Sequence, residues 1–258
     1  RLPGISETAM IFANVDVSKD PVPVIPTVHY NMGGVPTNWK GQVISPTKED
    51  ENNIVNGLWA AGEAASSSVH GANRLGANSL LDIVVFGKAC AENISEIDKP
   101  GDSIEDGNNN KLYSDIDYYK NIMNKKGELS VSDIRLEMQQ VMQKHAGVFR
   151  NDKLLQEGVE KMNAIYKKFE QVSIDDKSDV FNTEFIELLE LKNLLDNAMA
   201  TIHSANFRKE SRGAHSHDDY PERDDENWLI HTLAYLEENN IRLDTRNVIK
   251  EVLDDEVT

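Results

Sequence analysis

A run of small residues in the first third of the chain surrounds an arginine that could bind an anionic ligand. Arg74 lies inside the segment Val69-His70-Gly71-Ala72-Asn73-Arg74-Leu75-Gly76-Ala77-Asn78. Small neighbours let a ligand approach the backbone closely, and a guanidinium can bind a carboxylate through two parallel hydrogen bonds. The alternative that the residues leave open is an arginine in an ordinary surface ion pair.

Two features that flank this segment could hold a cofactor. Residues 57–62 predict an apolar strand that ends at Gly62-Glu63, and the carboxyl end of such a strand is where α/β sheets bind cofactors, so Glu63 could accept a hydrogen bond from a ribose hydroxyl. Beyond the segment, the amides of Ser79 and Leu80 at a helix N-terminus could face an electron-rich atom, such as a flavin pyrimidine carbonyl. Without its neighbours, Glu63 would be interpreted as a surface acid.

The histidines outside the C-terminal region carry different expectations. From the residues alone, His29 is interpreted as a loop histidine in a structural role. His70, seven residues after Glu63, is a further candidate for contact with the loop that could hold a cofactor. His203 lies in a predicted helix, and we expect it to be structural.

The elements that must position these residues can be predicted from turn signals and apolar periodicity. Residues 6–13 predict a short helix, and the prolines at 21, 23 and 26 predict an extended crossing segment after it. Short strand signals separated by glycines over 27–91 predict an α/β region. Residues 99–124 are rich in Asp, Asn, Gly and Ser, which predicts an exposed connection and a domain boundary.

Three amphipathic helices are predicted after this connection. The first begins at Ser130 with a capping-box-like Asp133 and ends at Gly147, the second begins at about Asp152, and the third covers 185–202. Short loops favour antiparallel packing of the three helices into a bundle.

The polar segment after the third predicted helix carries two further histidines. His215 and His217 lie beside Arg212, and two histidines in this spacing could begin a metal site. We predict no metal site, because we expect no third ligand in reach. Nothing is assigned to 236–258.

Composition excludes several classes of function. The chain has 258 residues, and 27 Lys+Arg against 44 Asp+Glu give a net charge of -17, which would repel a phosphate backbone, so no nucleic-acid partner is expected. The single Cys90 forms no intrachain disulfide and fits a reducing compartment. No uninterrupted apolar stretch approaches the roughly 18 residues of a spanning helix, so we expect membrane contact only through a partner. The sequence beginning at Arg1 resembles neither a signal nor a transit peptide, and we expect it to be cut from a longer chain.

Three segments together resemble one enzyme family. Residues 57–88 resemble the flavin-binding C-terminal strand and loop of the succinate dehydrogenase and fumarate reductase flavoprotein family. The run Thr27-Val28-His29-Tyr30-Asn31-Met32-Gly33-Gly34 is similar to that family's second substrate segment. The run Arg208-Lys209-Glu210-Ser211-Arg212-Gly213-Ala214-His215, with Tyr220-Pro221 and Arg223-Asp224-Asp225, is similar to its arginine-rich motif. The likeness extends to about residue 233.

The resemblance implies a fold of the α/β plus all-α class. It implies the C-terminal portion of a Rossmann-like FAD-binding domain, followed by an antiparallel three-helix bundle and a short C-terminal region. The corresponding boundaries are 1–26 for the end of a capping domain, 27–110 for the FAD-binding part, 111–209 for the bundle and 210–258 for the C-terminal region.

The resemblance also implies roles for individual residues. His29 and Arg74 would bind the carboxylates of a dicarboxylate substrate, with Ala77 close by. Glu63, Ser79 and Leu80 would bind FAD. The family's phosphate-binding glycine loop, its flavin-linking histidine and its proton-shuttle arginine match positions upstream of Arg1, so no catalytic residue is assigned.

The activity implied is that of succinate dehydrogenase of respiratory complex II in the tricarboxylic acid cycle, which oxidises succinate to fumarate with FAD and passes electrons to an iron-sulfur subunit. This chain would need the N-terminal half of the flavoprotein subunit, with membrane-anchor subunits as indirect partners. We expect a peripheral location on the inner membrane, on the mitochondrial matrix side or the bacterial cytoplasmic side. The alternatives are a fumarate reductase or L-aspartate oxidase fragment, or a non-catalytic structural piece of the complex.

Overall fold

The computed structural model describes residues 2–24, 29–101, 109–237 and 239–248. The chain forms two compact units, 1–31 and 32–258. In the first, helix α1 (Pro3–Ala13) confirms the predicted helix and begins earlier, because a proline is well accommodated in the first turn. The helix ends at Asn14, which has a left-handed conformation and donates its amide to the Met10 carbonyl at 3.1 Å. Residues 21–24 have no regular secondary structure, and Pro26 lies outside the described residues.

The α/β part of the second unit is built from short paired strands. Strand β1 (Val35–Pro36) pairs in parallel with β4 (Ala65–Ser66), and β2 (Gln42–Ile44) pairs antiparallel with β3 (Ile54–Trp59). The strand predicted to end at Gly62-Glu63 therefore ends earlier, at Trp59. Residues Gly62–Ala64 form a 3-10 turn instead, because Gly62 has a positive φ of 73° that interrupts the extended chain.

Helix α2 (Asn78–Ile97) packs against these strands at two points. The Trp59 indole donates a hydrogen bond to Asn93 Oδ1 at 3.1 Å. A Cβ at Gly41 would lie 2.1 Å from Cys90 Sγ, so only glycine allows the β2 region to approach the helix this closely. Burial raises the pKa of the Cys90 thiol, which keeps it in the less reactive protonated form.

Helix α3 (Asn109–Asn124) lies where an exposed connection was predicted. That prediction is wrong for these residues, although most side chains between Lys111 and Asn124 are exposed. The helical signal is weak because polar residues outnumber the apolar and aromatic ones, which are Leu112, Tyr113, Ile116, Tyr118, Tyr119, Ile122 and Met123. Residues 102–108 of the predicted connection lie outside the described residues.

The three helices predicted after this point are confirmed as α4 (Val131–His145), α5 (Asp152–Lys168) and α6 (Thr183–Phe207). The Asp133 amide donates to Ser130 Oγ at 3.1 Å, as the capping signal predicted. At Gly158 an added Cβ would lie 2.6 Å from both His145 Cβ and Ile202 Cδ1, so this glycine lets all three helices meet. They share a buried core: Ile134, Met138, Val159, Met162, Ile165, Leu188, Leu191, Leu195, Met199 and Ile202.

The remaining strands form two further pairs. Strand β5 (Phe149–Arg150) pairs in parallel with β6 (Ser216–His217), and β7 (Ile230–Glu237) pairs antiparallel with β8 (Asn240–Asn247). The β7–β8 pair begins before residue 236 and continues into 236–258, to which the sequence analysis assigned nothing. Tyr235 donates to the Pro46 carbonyl at 3.1 Å, and Arg246 donates to Asn52 Oδ1 at 2.8 Å, so the hairpin lies on the α/β part.

Candidate functional site

The segment that carries Arg74 is a tight loop between β4 and α2. The Asn73 amide donates to the His70 carbonyl at 3.3 Å, and Gly71 adopts a positive φ of 58° within this turn. The Arg74 amide contacts Met32 Sδ at 3.4 Å, and its guanidinium donates to the Leu75 carbonyl at 3.1 Å. The loop therefore fixes the Arg74 backbone and leaves its side chain half-buried.

A buried histidine-carboxylate pair ties this loop to α2. His70 Nε2 lies 2.7 Å from Asp82 Oδ2, and the side chains are only 14% and 5% exposed. The structure thus gives His70 a definite partner on the helix that follows the loop. The sequence contained a signal for this partner, because a buried carboxylate in the apolar run 80–86 requires hydrogen bonding. Asp82 is not among the site residues predicted from the sequence.

The first turn of α2 brings three predicted site residues together. Ala77 precedes the helix with a left-handed φ of 68° and is exposed, Ser79 is half-buried, and Leu80 is 73% exposed. Ala77, at the N-cap position, provides no side-chain hydrogen bond to the helix start, and first-turn amides have no acceptor inside a helix. At Gly71 and Gly76 an added Cβ would meet no described atom within 4 Å. The loop and helix start therefore combine backbone donors with room for a ligand.

Glu63 lies in the 3-10 turn that follows β3. This turn packs on α2, and a Cβ at Gly62 would lie 3.1 Å from Ile83 Cγ1. The structure therefore brings the turn of Glu63 against the helix whose first turn carries Ser79 and Leu80. The Glu63 side chain is exposed.

His29 belongs to the first unit, whereas the other predicted site residues belong to the second. It is an exposed residue of the first unit, and Thr27 and Val28 of the same motif lie outside the described residues. Its approach to Arg74 stays a prediction.

The arginine-rich segment is organised by a fully buried carboxylate. Glu210 has no exposed side-chain surface, and it accepts hydrogen bonds from Arg208 Nη2 at 2.5 Å and from Arg212 Nε and Nη2 at 2.7 and 2.9 Å. The Asp224 amide adds a fourth bond at 3.0 Å. Burial acts to raise the pKa of Glu210, but the bonds from Arg212 and Arg208 outweigh it and hold the pKa below its ordinary value.

His217 lies in a cluster of charged groups that the sequence did not reveal. Ligand-type atoms of Asp152, His217 and Asp219 lie within 4.8 Å of one another, so the expectation of no third group in reach of His217 is wrong. The parallel pairing of β5 with β6 brings these distant positions together. Lys209 Nζ contacts Asp152 Oδ1 at 2.5 Å, and this bond lowers the pKa of the Asp152 carboxyl. A protein cation therefore already balances this carboxylate.

His203 behaves as the sequence predicted. Its Nε2 lies 3.2 Å from Asn163 Oδ1, which joins α6 to α5, and burial lowers its pKa. Its role is to connect two helices of the core.

Comparison with known families matches both ends of the chain. A model described as an FAD binding domain matches residues 1–80, and a model described as the fumarate reductase flavoprotein C-terminus matches residues 135–257. The first contains His29, Glu63, Arg74 and Ala77, and the second contains Glu210.

Individual relatives match the chain over its whole length. The mitochondrial succinate dehydrogenase [ubiquinone] flavoprotein subunit of Oryza sativa subsp. japonica is 52% identical over 257 residues, which are 100% of this chain and 41% of that protein. The succinate dehydrogenase flavoprotein subunit of Rickettsia bellii is 50% identical over 258 residues, again 100% of this chain and 43% of that protein. The chain thus spans about two-fifths of the length of these relatives.

A solved structure gives the same result for the fold. The chain resembles a quinol fumarate reductase of E. coli with a TM-score of 0.86 and 38% identity, covering 98% of this chain and 42% of that one.

Proposed function

The chain belongs to the succinate dehydrogenase and fumarate reductase flavoprotein family, and from this premise we propose that it forms the C-terminal part of a succinate dehydrogenase flavoprotein subunit, which oxidises succinate to fumarate. The observation that carries the proposal is the joining of the Arg74 loop to the uncapped N-terminus of α2. Such a site offers a carboxylate-binding group directly beside backbone donors for a cofactor. Fumarate reduction by the same site is the alternative direction.

In this proposal, Arg74 and His29 bind the two ends of the substrate. A guanidinium can hold one carboxylate through two parallel hydrogen bonds, and an imidazole can donate a hydrogen bond to the other. Ala77 lies three residues after Arg74 and has a small side chain, which leaves room for the substrate carbon chain. These groups orient the methylene carbons and do not themselves take the hydride.

The residues present fit FAD in two respects. The amides of Ser79 and Leu80 belong to the first turn of a 20-residue helix, where backbone donors and the helix dipole favour an electron-rich carbonyl. Glu63 provides a carboxylate on a turn packed against the same helix, suited to a ribose hydroxyl. FAD, when bound, supplies the acceptor for the hydride that leaves the substrate.

We propose that the N-terminal half of the subunit covers the exposed apolar side chains of α2. Leu81, Val84 and Val85 are 60%, 68% and 49% exposed on this helix. Burial of such apolar surface against a partner would stabilise the complex, because it removes these side chains from water. The phosphate-binding glycine loop and the flavin-linking histidine are assigned to that half.

The proposed partners continue outward from this subunit. An iron-sulfur subunit would receive the electrons, and membrane-anchor subunits would hold the complex at the inner membrane, on which this chain would be peripheral. Among the residues that the structure describes, no helix combines the length and the apolar character needed to cross a membrane.

The finer architecture is part of the proposal. Residues 27–110 would complete a Rossmann-like FAD-binding domain, 111–209 would form an antiparallel three-helix bundle, 1–26 would end a capping domain, and 210–258 would form the C-terminal region. The FAD-binding model over 1–80 and the C-terminal model over 135–257 support this order.

The test is reconstitution with the N-terminal half. The complex should retain flavin absorbance and reduce a dye in a succinate-dependent reaction, whereas this chain alone should hold no FAD. Glu63→Gln should lower the flavin content, and Glu49→Gln, at another exposed acid, should not. Stoichiometric flavin on this chain alone would contradict the split site. A flavin-loaded complex that is inert toward succinate and fumarate would favour a structural role.

A further inference from the structure

The arginine-rich segment contains a two-residue hairpin turn whose tip contacts a neighbouring loop. The Arg212 amide donates to the His215 carbonyl at 2.9 Å, and the His215 amide donates to the Arg212 carbonyl at 3.1 Å. Gly213 has a positive φ of 57°, and Ala214 does not share this left-handed conformation. A positive φ at the first central position alone is the pattern of a type II′ turn, which favours glycine there.

The tip of this turn touches the loop that carries Arg74. The Ala214 amide donates to the Ala72 carbonyl at 3.1 Å. A Cβ added to Gly213 would lie 2.4 Å from the Ala72 oxygen, 2.6 Å from its carbonyl carbon and 2.8 Å from its Cβ. Backbone atoms account for the two shortest of these distances, so a rotamer change cannot relieve them. Ala72 is two residues before Arg74.

Hydrogen bonds to charged side chains hold both arms of the turn. Arg212 donates two hydrogen bonds to the buried Glu210, at 2.7 and 2.9 Å, and one to Asp225 at 2.7 Å. On the other arm, Arg150 donates to His215 Nδ1 at 2.8 Å. A turn fixed at both arms transmits its position to whatever its tip contacts, because charged, partly buried hydrogen bonds resist displacement.

We propose that Gly213 and Ala214 are positioning residues that set the distance of Arg74 from the substrate carboxylate. The proposal rests on the proposed function, in which Arg74 binds a dicarboxylate. The turn acts through the Ala72 carbonyl. The Ala214 amide donates a hydrogen bond that holds the loop close, and the absence of a Cβ at Gly213 permits this approach. A displacement of about 1 Å at such a group can cost up to about a hundredfold in kcat/KM.

The experiment uses Gly213→Ala in the complex with the N-terminal half. Its added Cβ must push the Ala72 backbone outward, so the KM for succinate and the inhibition constant of malonate should both rise about tenfold or more. Flavin content should stay equal to that of the wild type, and kcat should change less than about threefold. Gly101→Ala is the matched control, because Gly101 also has a positive φ, of 92°, but an added Cβ there meets no described atom within 4 Å.

Different outcomes separate this proposal from the one on which it rests. A wild-type complex that neither oxidises succinate nor binds malonate would contradict the proposed function. A competent wild type with unchanged KM and malonate affinity in Gly213→Ala would overturn the positioning role, as would equal changes in Gly101→Ala. If Gly213→Ala does not assemble, Arg212→Lys loosens the same turn without adding bulk. It should raise KM and the malonate constant together by a smaller factor, and unchanged values there would also overturn the proposal.

Discussion

His70 Nε2 lies 2.7 Å from Asp82 Oδ2, and this contact joins the loop that carries Arg74 to helix α2, whose first turn carries Ser79 and Leu80. The Asp82 side chain is only 5% exposed, so the pair is largely withdrawn from water. A buried carboxylate without a partner is costly, which makes the pair a strong constraint on the loop conformation.

We expect Asp82→Asn to loosen the loop without removing the helix. The amide cannot offer the anionic acceptor, and the loss should be about 1 to 3 kcal/mol of local stability. Amide hydrogen exchange over residues 68–76 in the assembled complex should accelerate accordingly. Glu96→Gln, at an exposed position of α2, is the control and should leave these rates unchanged. Equal rates in both variants would show that the pair does not restrain the loop.

Arg74→Lys tests the carboxylate-binding role directly. The charge remains, but an ammonium cannot reproduce the planar fork of a guanidinium, so the paired hydrogen bonds are lost. Breaking such a pair costs about 2 to 5 kcal/mol, and kcat/KM for succinate should fall by roughly 30-fold to several thousand-fold. Succinate-dependent dye reduction with malonate titrated alongside measures both effects.

The control for Arg74 is an arginine in a surface ion pair. Arg223 is 65% exposed and lies 2.9 Å from Asp225, so Arg223→Lys should cost under about 1 kcal/mol. Flavin content should be equal in both variants. Normal malonate binding in Arg74→Lys would remove Arg74 from the substrate site.

His29→Ala should raise the succinate requirement and slow turnover while flavin content stays intact. The physical reason is that a group bound to substrate contributes to the transition state and not to cofactor affinity. Steady-state kinetics and flavin absorbance on the same preparation test both parts. His203→Ala provides a comparison, because His203 contacts Asn163 in the helical core and should affect thermal stability alone. Flavin loss with unchanged kinetics in the occupied fraction would assign His29 elsewhere.

The helix starts that the sequence predicted best are those of α4 and α5. Ser130 and Asp152 mark helix starts that the structure confirms to within a residue, because capping and periodicity are local properties. Helix α3 was missed since its few apolar residues are outnumbered by polar ones. The early end of β3 was missed because the φ of Gly62 cannot be deduced from its identity.

The contacts around the candidate site depend on pairings that no local pattern contains. The approach of Gly213 to Ala72 and of Asp152 to His217 requires the chain to return to an earlier element after the helical part. The sequence marks Arg74 and the start of α2 as a candidate ligand-binding segment, and this role stays a prediction. The sequence could not predict which distant backbone segment contacts this one, because the spacing of residues along the chain does not determine tertiary contacts.

His215 predicts a pH dependence of stability. Burial, followed by the charge of Arg150, lowers the pKa of His215 to about 4 in the folded chain, against about 6.5 unfolded. Above pH 6.5 the imidazole is neutral in both states and costs nothing. As pH falls from about 6.5 to about 4, the unfolded state alone binds the proton, so stability falls, by at most about 3 kcal/mol.

The measurement for His215 is the denaturation midpoint of the assembled complex between pH 7 and pH 4. His215→Gln removes the titrating group and should flatten the part of the curve that His215 causes. Identical curves for the two proteins would show that His215 is not the group responsible.

Glu210→Gln should be among the most destabilising single changes in the C-terminal part of the chain. Glu210 has no exposed side-chain surface and separates Arg208 from Arg212, which are 15% and 18% exposed. A glutamine of the same shape removes the buried negative charge that Arg208 and Arg212 share, at a cost of about 3 to 5 kcal/mol. Urea denaturation of the assembled complex should show this loss, whereas Asp225→Asn, which removes a 46% exposed partner of Arg212, should cost under about 1 kcal/mol. Equal midpoints for the two variants would mean that Glu210 does not hold the arginines together.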